Sequence, residues 1–258
     1  MHTCLPFTIK GHVAVITMSN APANTWTHVS LDGLADLIHD FNQDKNIYSL
    51  IITGAGEKFF SAGADLKLFA DGDKQTAVVM ATAFGRAFEA LSQFRGLSIA
   101  AINGYAMGGG LEVALACDLR IAESQAQMAL PEAAVGLLPC AGGTQNLAWL
   151  VGEGWAKRMI LCGERVSAQQ ALDIGLVEAI VESGQALEQA LLWAQKSEQQ
   201  SPTSVAACKR LIQNARSHPL AVGMVCERDE FVNLFNSNDQ KEGVQAFLEK
   251  RQPQWTNS

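Results

Sequence analysis

The chain has 258 residues, of which 48% are hydrophobic and 17% charged. That is enough for one large domain with a substantial core, and too apolar for a disordered chain. The formal net charge of −7 argues against a non-specific nucleic-acid binder, which needs clustered Lys and Arg, though not against a local basic spot for a small anion.

No apolar run approaches the roughly 18–20 residues of a membrane span. No basic segment followed by an apolar one marks a secretory signal, so a soluble, cytoplasmic protein is expected. Six cysteines, at positions 4, 117, 140, 162, 208 and 226, form no CxxC pair and read as reduced, mostly buried thiols. The histidines at 2, 12, 28, 39 and 218 show no metal-ligand spacing, and no metal is expected.

In chain order, Val13–Met18 is a short β-branched run and predicts a strand. Leu31, Leu34, Ala35, Ile38 and Phe41 recur at three-and-four spacing and predict a helix over 29–41. Ser49–Thr53, Ile99–Ile102 and Leu119–Ala122 are further strands, and 76–94 reads as a long helix stopped by Gly96. This alternation of apolar strands with helices predicts an α/β core with buried sheets.

The last third changes character. Ser167 and Gln170 fit a capping box, and Ser201-Pro202 fits an N-cap with Pro at the first helical position. Leu187, Ala190, Leu191 and Ala194 give one helical stripe; Val205, Cys208, Leu211, Ile212 and Ala215 give another. Phe231, Leu234 and Phe235 line a third, and Asn238 or Asp239 is the expected cap of a last helix ending near Arg251. The division expected is a core over 1–199 and a helical region over 200–258 that packs on the core or on another subunit.

Three stretches could carry chemistry. In Phe59–Lys67, the small residues at 61–64 allow a backbone to approach a ligand, with free N–H groups for an anion or a polarised carbonyl; a tight turn into a helix explains them equally. Asn103–Glu112 places three glycines, 108–110, between a strand and a helical run, where N–H groups and the positive helix end could face a substrate oxygen; a flexible turn followed by a first-turn Glu favoured by the helix dipole explains them equally. The spacing is neither GxGxxG nor a P-loop. Glu132, after Leu130-Pro131, is either a plain helix-start acid or a carboxyl with a raised pKa. No Gly-x-Ser-x-Gly elbow is present, so serine-hydrolase chemistry falls away.

Together the segments SAGADLK, NGYAMGGGLEVALACD, LPE and GLLPCAGGTQ, in that order, resemble the crotonase (enoyl-CoA hydratase/isomerase) superfamily. The resemblance implies a spiral of ββα repeats with a C-terminal helical region used for trimers, which commonly pair into hexamers. It implies Glu112 and Glu132 as the catalytic carboxylates, twenty positions apart, and the backbone N–H groups of Ala64 and Gly109 as oxyanion-hole donors. Ala23, Asn24, Ala62, Ala64, Asp65, Leu66, Lys67 and Gly108 match segments that line the CoA site. Phe235 is similar to an aromatic that reaches CoA from a C-terminal helix.

The implied substrate is an acyl-CoA thioester, with coenzyme A part of the substrate, no separate cofactor, no nucleic acid and no membrane. The implied reaction is syn hydration of a trans-2-enoyl-CoA. The alternatives are a 3,2-enoyl-CoA isomerase, in which the first position is often not acidic, and an RNA-binding or non-catalytic member of the fold. Departures at Thr25-Trp26, Leu130, Cys140 and Asn146 bear on substrate choice rather than on the core chemistry.

Overall fold

The computed structural model describes residues 5–258, so Cys4 and His2 lie outside the described residues. Two sheets and a set of helices account for the chain. A hairpin of β1 (Phe7–Lys10) and β2 (Val13–Met18) opens it, followed by α1 (His28–Gln43). The chain then repeats one pattern three times, two strands and a helix. The units are β3 (Ser49–Gly54), β4 (Phe59–Ser61) and α2 (Lys74–Ser92); β5 (Leu97–Ile102), β6 (Tyr105–Met107) and α3 (Gly109–Ala116); and β7 (Leu119–Glu123), β8 (Gln127–Ala129) and α4 (Gly143–Leu161).

The first strand of each unit joins a six-stranded sheet of order β1-β2-β3-β5-β7-β10, with β10 at Ala179–Val181. The second strand joins a four-stranded sheet of order β4-β6-β8-β9, with β9 at Val166–Ser167. Between β2 and β10 every pairing in the larger sheet is parallel. The mixed α/β spiral expected from the resemblance is therefore the fold.

Side-chain alternation explains the layers. Ala14, Ile16 and Met18 of β2 enter the main core with α1, α2 and α3, whereas Val13 and Val15 point to the other face. There they meet Ile51, Ile99 and Ile121, covered by Ala186, Ala190 and Ala194 of α6 (Ala186–Glu198). Burial on both faces is why these strands read as continuous apolar runs.

The four predicted strands and the helices over 29–41 and 76–94 are present as β2, β3, β5, β7, α1 and α2, although α2 stops at Ser92, before Gly96. The capping box at Ser167 opens α5 (Ala168–Asp173), with Ser167 Oγ accepting from the Gln170 N–H. Ser201 caps α7 (Pro202–Asn214), with Pro202 in the first turn. Two more helices follow, α8 (Leu220–Leu234) and α9 (Asn238–Glu249). Lys209 of α7 reaches the core, donating to the Gly96 carbonyl at 3.0 Å and to Asp118 at 2.7 Å.

Two expectations are corrected. Ser237, not Asn238 or Asp239, caps α9; Asp239 is buried and accepts instead from the N–H groups of Thr256 and Asn257, pinning the C-terminal tail. The cysteines are not mostly buried. Among the described residues only Cys117 is, because Cys162 at the end of α4 and Cys208 in the middle of α7 are exposed and Cys140 opens onto a cavity. All five described thiols are free, as expected of reduced cysteines.

Candidate active site

The site lies where β4, β6 and β8 hand over to their helices. Asn24, with φ of 52°, locks the entry. Its Nδ2 donates to the carbonyls of Ala55 and Phe59 at 3.0 and 2.9 Å, and its own carbonyl accepts from Ser61 Oγ at 2.7 Å. Next along the chain, the Trp26 N–H donates to the Gly63 carbonyl at 2.8 Å and Trp26 pairs in parallel with Ala64. That pairing uses the groups on either side of Ala64. Among the described residues, neither its own N–H nor that of Gly109 is a donor in the loop and side-chain hydrogen bonds.

The two free donors are brought together by glycine. Gly63 has φ of +86°, and a Cβ there would sit 2.7 Å from the Met107 carbonyl oxygen and 3.0 Å from Gly109 N. At Gly110 a Cβ would be driven into the Ser61 carbonyl. The glycine run is therefore a steric demand of β4 against α3. Gly110→Ala is expected to lose about 1–3 kcal/mol by overpacking. Gly154→Ala on α4, where a Cβ meets nothing, is expected to gain a few tenths to about 1 kcal/mol. Equal melting temperatures for the two variants would contradict this assignment.

Glu112 projects from the first turn of α3 and is 3% exposed. Its Oε1 accepts from the N–H groups of Ala141 and Gly143 at 2.8 and 2.9 Å, while Oε2 carries no hydrogen bond to the protein. Burial raises its pKa, and the two N–H donors partly restrain the rise. Glu132 begins a 3-10 turn, Glu132–Val135, so it is both a helix-start acid and a shifted one. Burial, with a smaller contribution from the Glu112 charge, pushes its pKa to about 7. Its Oε2 is buried without a partner.

Both carboxyls line one cavity of about 580 Å³. Ala62, Ala64, Leu66, Gly108 and Gly109 line it as well, so these sequence-derived site residues converge. Ala23, Asn24, Asp65, Lys67 and Phe235 lie outside its lining. Asp65 caps the 3-10 turn Leu66–Phe69, accepting from the Lys67 N–H, and Phe235 is 53% exposed at the end of α8, edge-on to Phe231.

Sequence reasoning singled out no residue of the apolar wall, which is Met80 and Phe84 from α2 and Val135, Leu137 and Leu138 after Glu132. The stripe on α2 reads as ordinary core, and nothing local marks its upper end as a lining. The backbone donors to Glu112 were also missed, because an N–H has no sequence signature beyond the Ala141–Gly143 run. No cluster of His, Cys, Asp and Glu among the described residues could hold a metal ion. No described helix is long and apolar enough to cross a membrane.

The site can hold a polarised carbonyl between two N–H groups and set two carboxyls of unlike environment beside it. Residues 8–258 match the family model for enoyl-CoA hydratase/isomerase. The short-chain-enoyl-CoA hydratase of Clostridium acetobutylicum is 36% identical over 247 residues, covering 94% of this chain and 93% of that protein. Among solved structures, Pseudomonas aeruginosa DspI is 63% identical with a TM-score of 0.95, covering 98% of this chain and 96% of that one. The enoyl-CoA hydratase of Bacillus anthracis is 36% identical with a TM-score of 0.95, covering 99% of this chain and 100% of that one. The chain belongs to the enoyl-CoA hydratase/isomerase family.

Proposed function

We propose that the protein is an enoyl-CoA hydratase, adding water syn across a trans-2-enoyl-CoA to give a 3-hydroxyacyl-CoA. One observation carries the reading: two carboxyls share a cavity, one with two N–H donors to its oxygen and the other with a buried, unpartnered oxygen. The better hydrogen-bonded carboxyl, Glu112, is assigned the charge and Glu132 the proton.

Water attacks C3 as Glu112 takes its proton. The C2–C3 π electrons move toward the thioester, and negative charge builds on the carbonyl oxygen. The N–H groups of Ala64 and Gly109 receive it without reorganising, each donor being worth about 10²–10³ in rate at sites of this kind. The positive end of α3 adds to them. Glu132 then gives its proton to C2. Deprotonation of the water and protonation of C2 balance, and the scheme draws on no metal or redox cofactor.

The C-terminal helices leave Phe231, Val232, Phe235, Phe247 and Leu248 exposed, which supports burial between copies in a trimer or a dimer of trimers. The CoA moiety is assigned to the segments around Ala23-Asn24 and Asp65–Lys67. A cytoplasmic location and a role in fatty-acid β-oxidation are part of this proposal.

The test is the loss of enoyl-thioester absorbance when pure protein meets crotonyl-CoA. Loss is expected within minutes and is expected to vanish in Glu132→Gln. Silence with crotonyl-CoA and longer 2-enoyl-CoA, together with conversion of a 3-enoyl-CoA, would replace the hydratase by the isomerase.

A further inference from the structure

Trp26 is 1% exposed, and its indole N–H has no acceptor among the described residues. Burying a donor unpaired opposes folding, and an apolar side chain would carry no such penalty. Filling the core therefore does not by itself account for the indole. The sequence placed Trp26 among departures that bear on substrate choice; the fold places it against both halves of the oxyanion hole.

The main chain of Trp26 holds one half. Its N–H donates to the Gly63 carbonyl at 2.8 Å and its carbonyl accepts from the Asp65 N–H at 3.4 Å, so Ala64 is gripped from both sides. The side chain backs the other half. A Cβ built on Gly109 would lie 3.6 Å from Trp26 Cδ1 and 3.0 Å from Phe84 Cε1. The indole is held in its turn. It meets Phe88 edge-to-face with ring centroids 5.5 Å apart, and Phe88 meets Phe84 in the same way at 5.5 Å.

The two donors belong to different segments, the turn after β4 and the start of α3. Gly63 sets how near those segments can come, because any side chain there would strike Met107 and Gly109. It does not set how far apart they can drift. A donor of this kind acts only within about 2.7–3.1 Å of the developing oxyanion, so drift matters. We propose that Trp26 is a positioning residue for the thioester carbonyl: the edge of its indole holds the Gly109 N–H at a fixed separation from the Ala64 N–H. This rests on the reading that those two groups receive the carbonyl oxygen.

The test uses butyryl-CoA with an isotope-labelled carbonyl, whose saturated chain cannot be hydrated. Infrared difference spectra on the full chain read the thioester stretch, which falls in frequency as the donors pull on the oxygen. Wild type is expected to lower it. Trp26→Ala and Trp26→Val are each expected to lose about half of that lowering, and to reduce kcat with crotonyl-CoA by about 10–10²-fold with a smaller change in KM. Trp26→Phe, which keeps an aromatic edge at Gly109 and drops the unpaired N–H, is expected to keep both. Phe41→Ala, buried at the far end of α1, is expected to lose stability in urea and change neither.

An unchanged stretch and kcat in whichever truncation folds overturns the proposal. So does an equal loss of the shift in Phe41→Ala, which would mean general loosening, or a loss in Trp26→Phe as large as in the truncations. A wild type that binds the ester without lowering its stretch overturns both this role and the functional reading. A wild type that lowers the stretch but hydrates no 2-enoyl-CoA removes the hydratase and keeps the role of Trp26.

Discussion

Glu132→Gln is expected to lower turnover of crotonyl-CoA by about 10²–10⁴-fold, the usual contribution of a positioned proton donor, with a much smaller change in KM. The amide keeps the shape and removes the transferable proton. The pH profile gives a sharper test. Glu132 must carry its proton and titrates near 7, so activity should fall as pH rises through about 7. Glu112 must be ionised, and its pKa is raised from 4.5, so activity should also fall on the acid side. A wild-type profile without a limb near 7 would refute the assignment of Glu132 as the acid.

The same carboxyl bears on stability. Its pKa is higher in the folded chain than the ordinary 4.5, so the folded state holds the proton more tightly. Its cost is absent below about pH 4.5, grows as pH rises toward 7, and is complete above that. Glu132→Gln should therefore melt higher than wild type at pH 8, with the difference closing toward pH 4. A difference that does not vary with pH would mean that Glu132 is not the group being relieved.

Arg120→Met is expected to lose about 3–5 kcal/mol of folding stability. Arg120 is the second residue of β7 and is 3% exposed. Its Nη1 donates to the Cys117 carbonyl at 2.9 Å, its Nε to the Leu176 carbonyl at 2.8 Å, and its Nη2 pairs with Glu178 at 2.5 Å. Removing it strands carbonyls at the C-terminal end of the helix that carries Glu112. Glu178 keeps 29% of its side chain in solvent, so Glu178→Gln should cost clearly less. Urea titration of both variants measures the difference. Equal losses would mean that the ion pair, not the carbonyl set, does the stabilising.

Elements that bury both faces were legible in the sequence. Runs such as Leu50–Ile52 and Ile99–Ile102 are apolar throughout because parallel strands covered on both faces have no wet side. Strands β4, β6 and β8 were not legible. Each has three residues, set inside small-residue motifs whose composition follows from close backbone approach, not from strand propensity. Helix α4 was missed because Gly152, with φ of 77°, and Gly154 interrupt its periodicity. Asn24 shows the reverse case: the resemblance points to CoA, whereas its side chain is committed to the carbonyls of Ala55 and Phe59.

By itself the sequence determined the chemical inventory: two glutamates, a glycine run before the first, small residues around Ala64, and no nucleophile or metal set to compete. These are properties of residue type and order, which the chain carries before it folds. Only the tertiary structure gives the two glutamates their unlike surroundings. The Ala141 and Gly143 N–H groups reach Glu112 from 29 and 31 positions away, and the burial of Glu132 depends on every wall of the cavity.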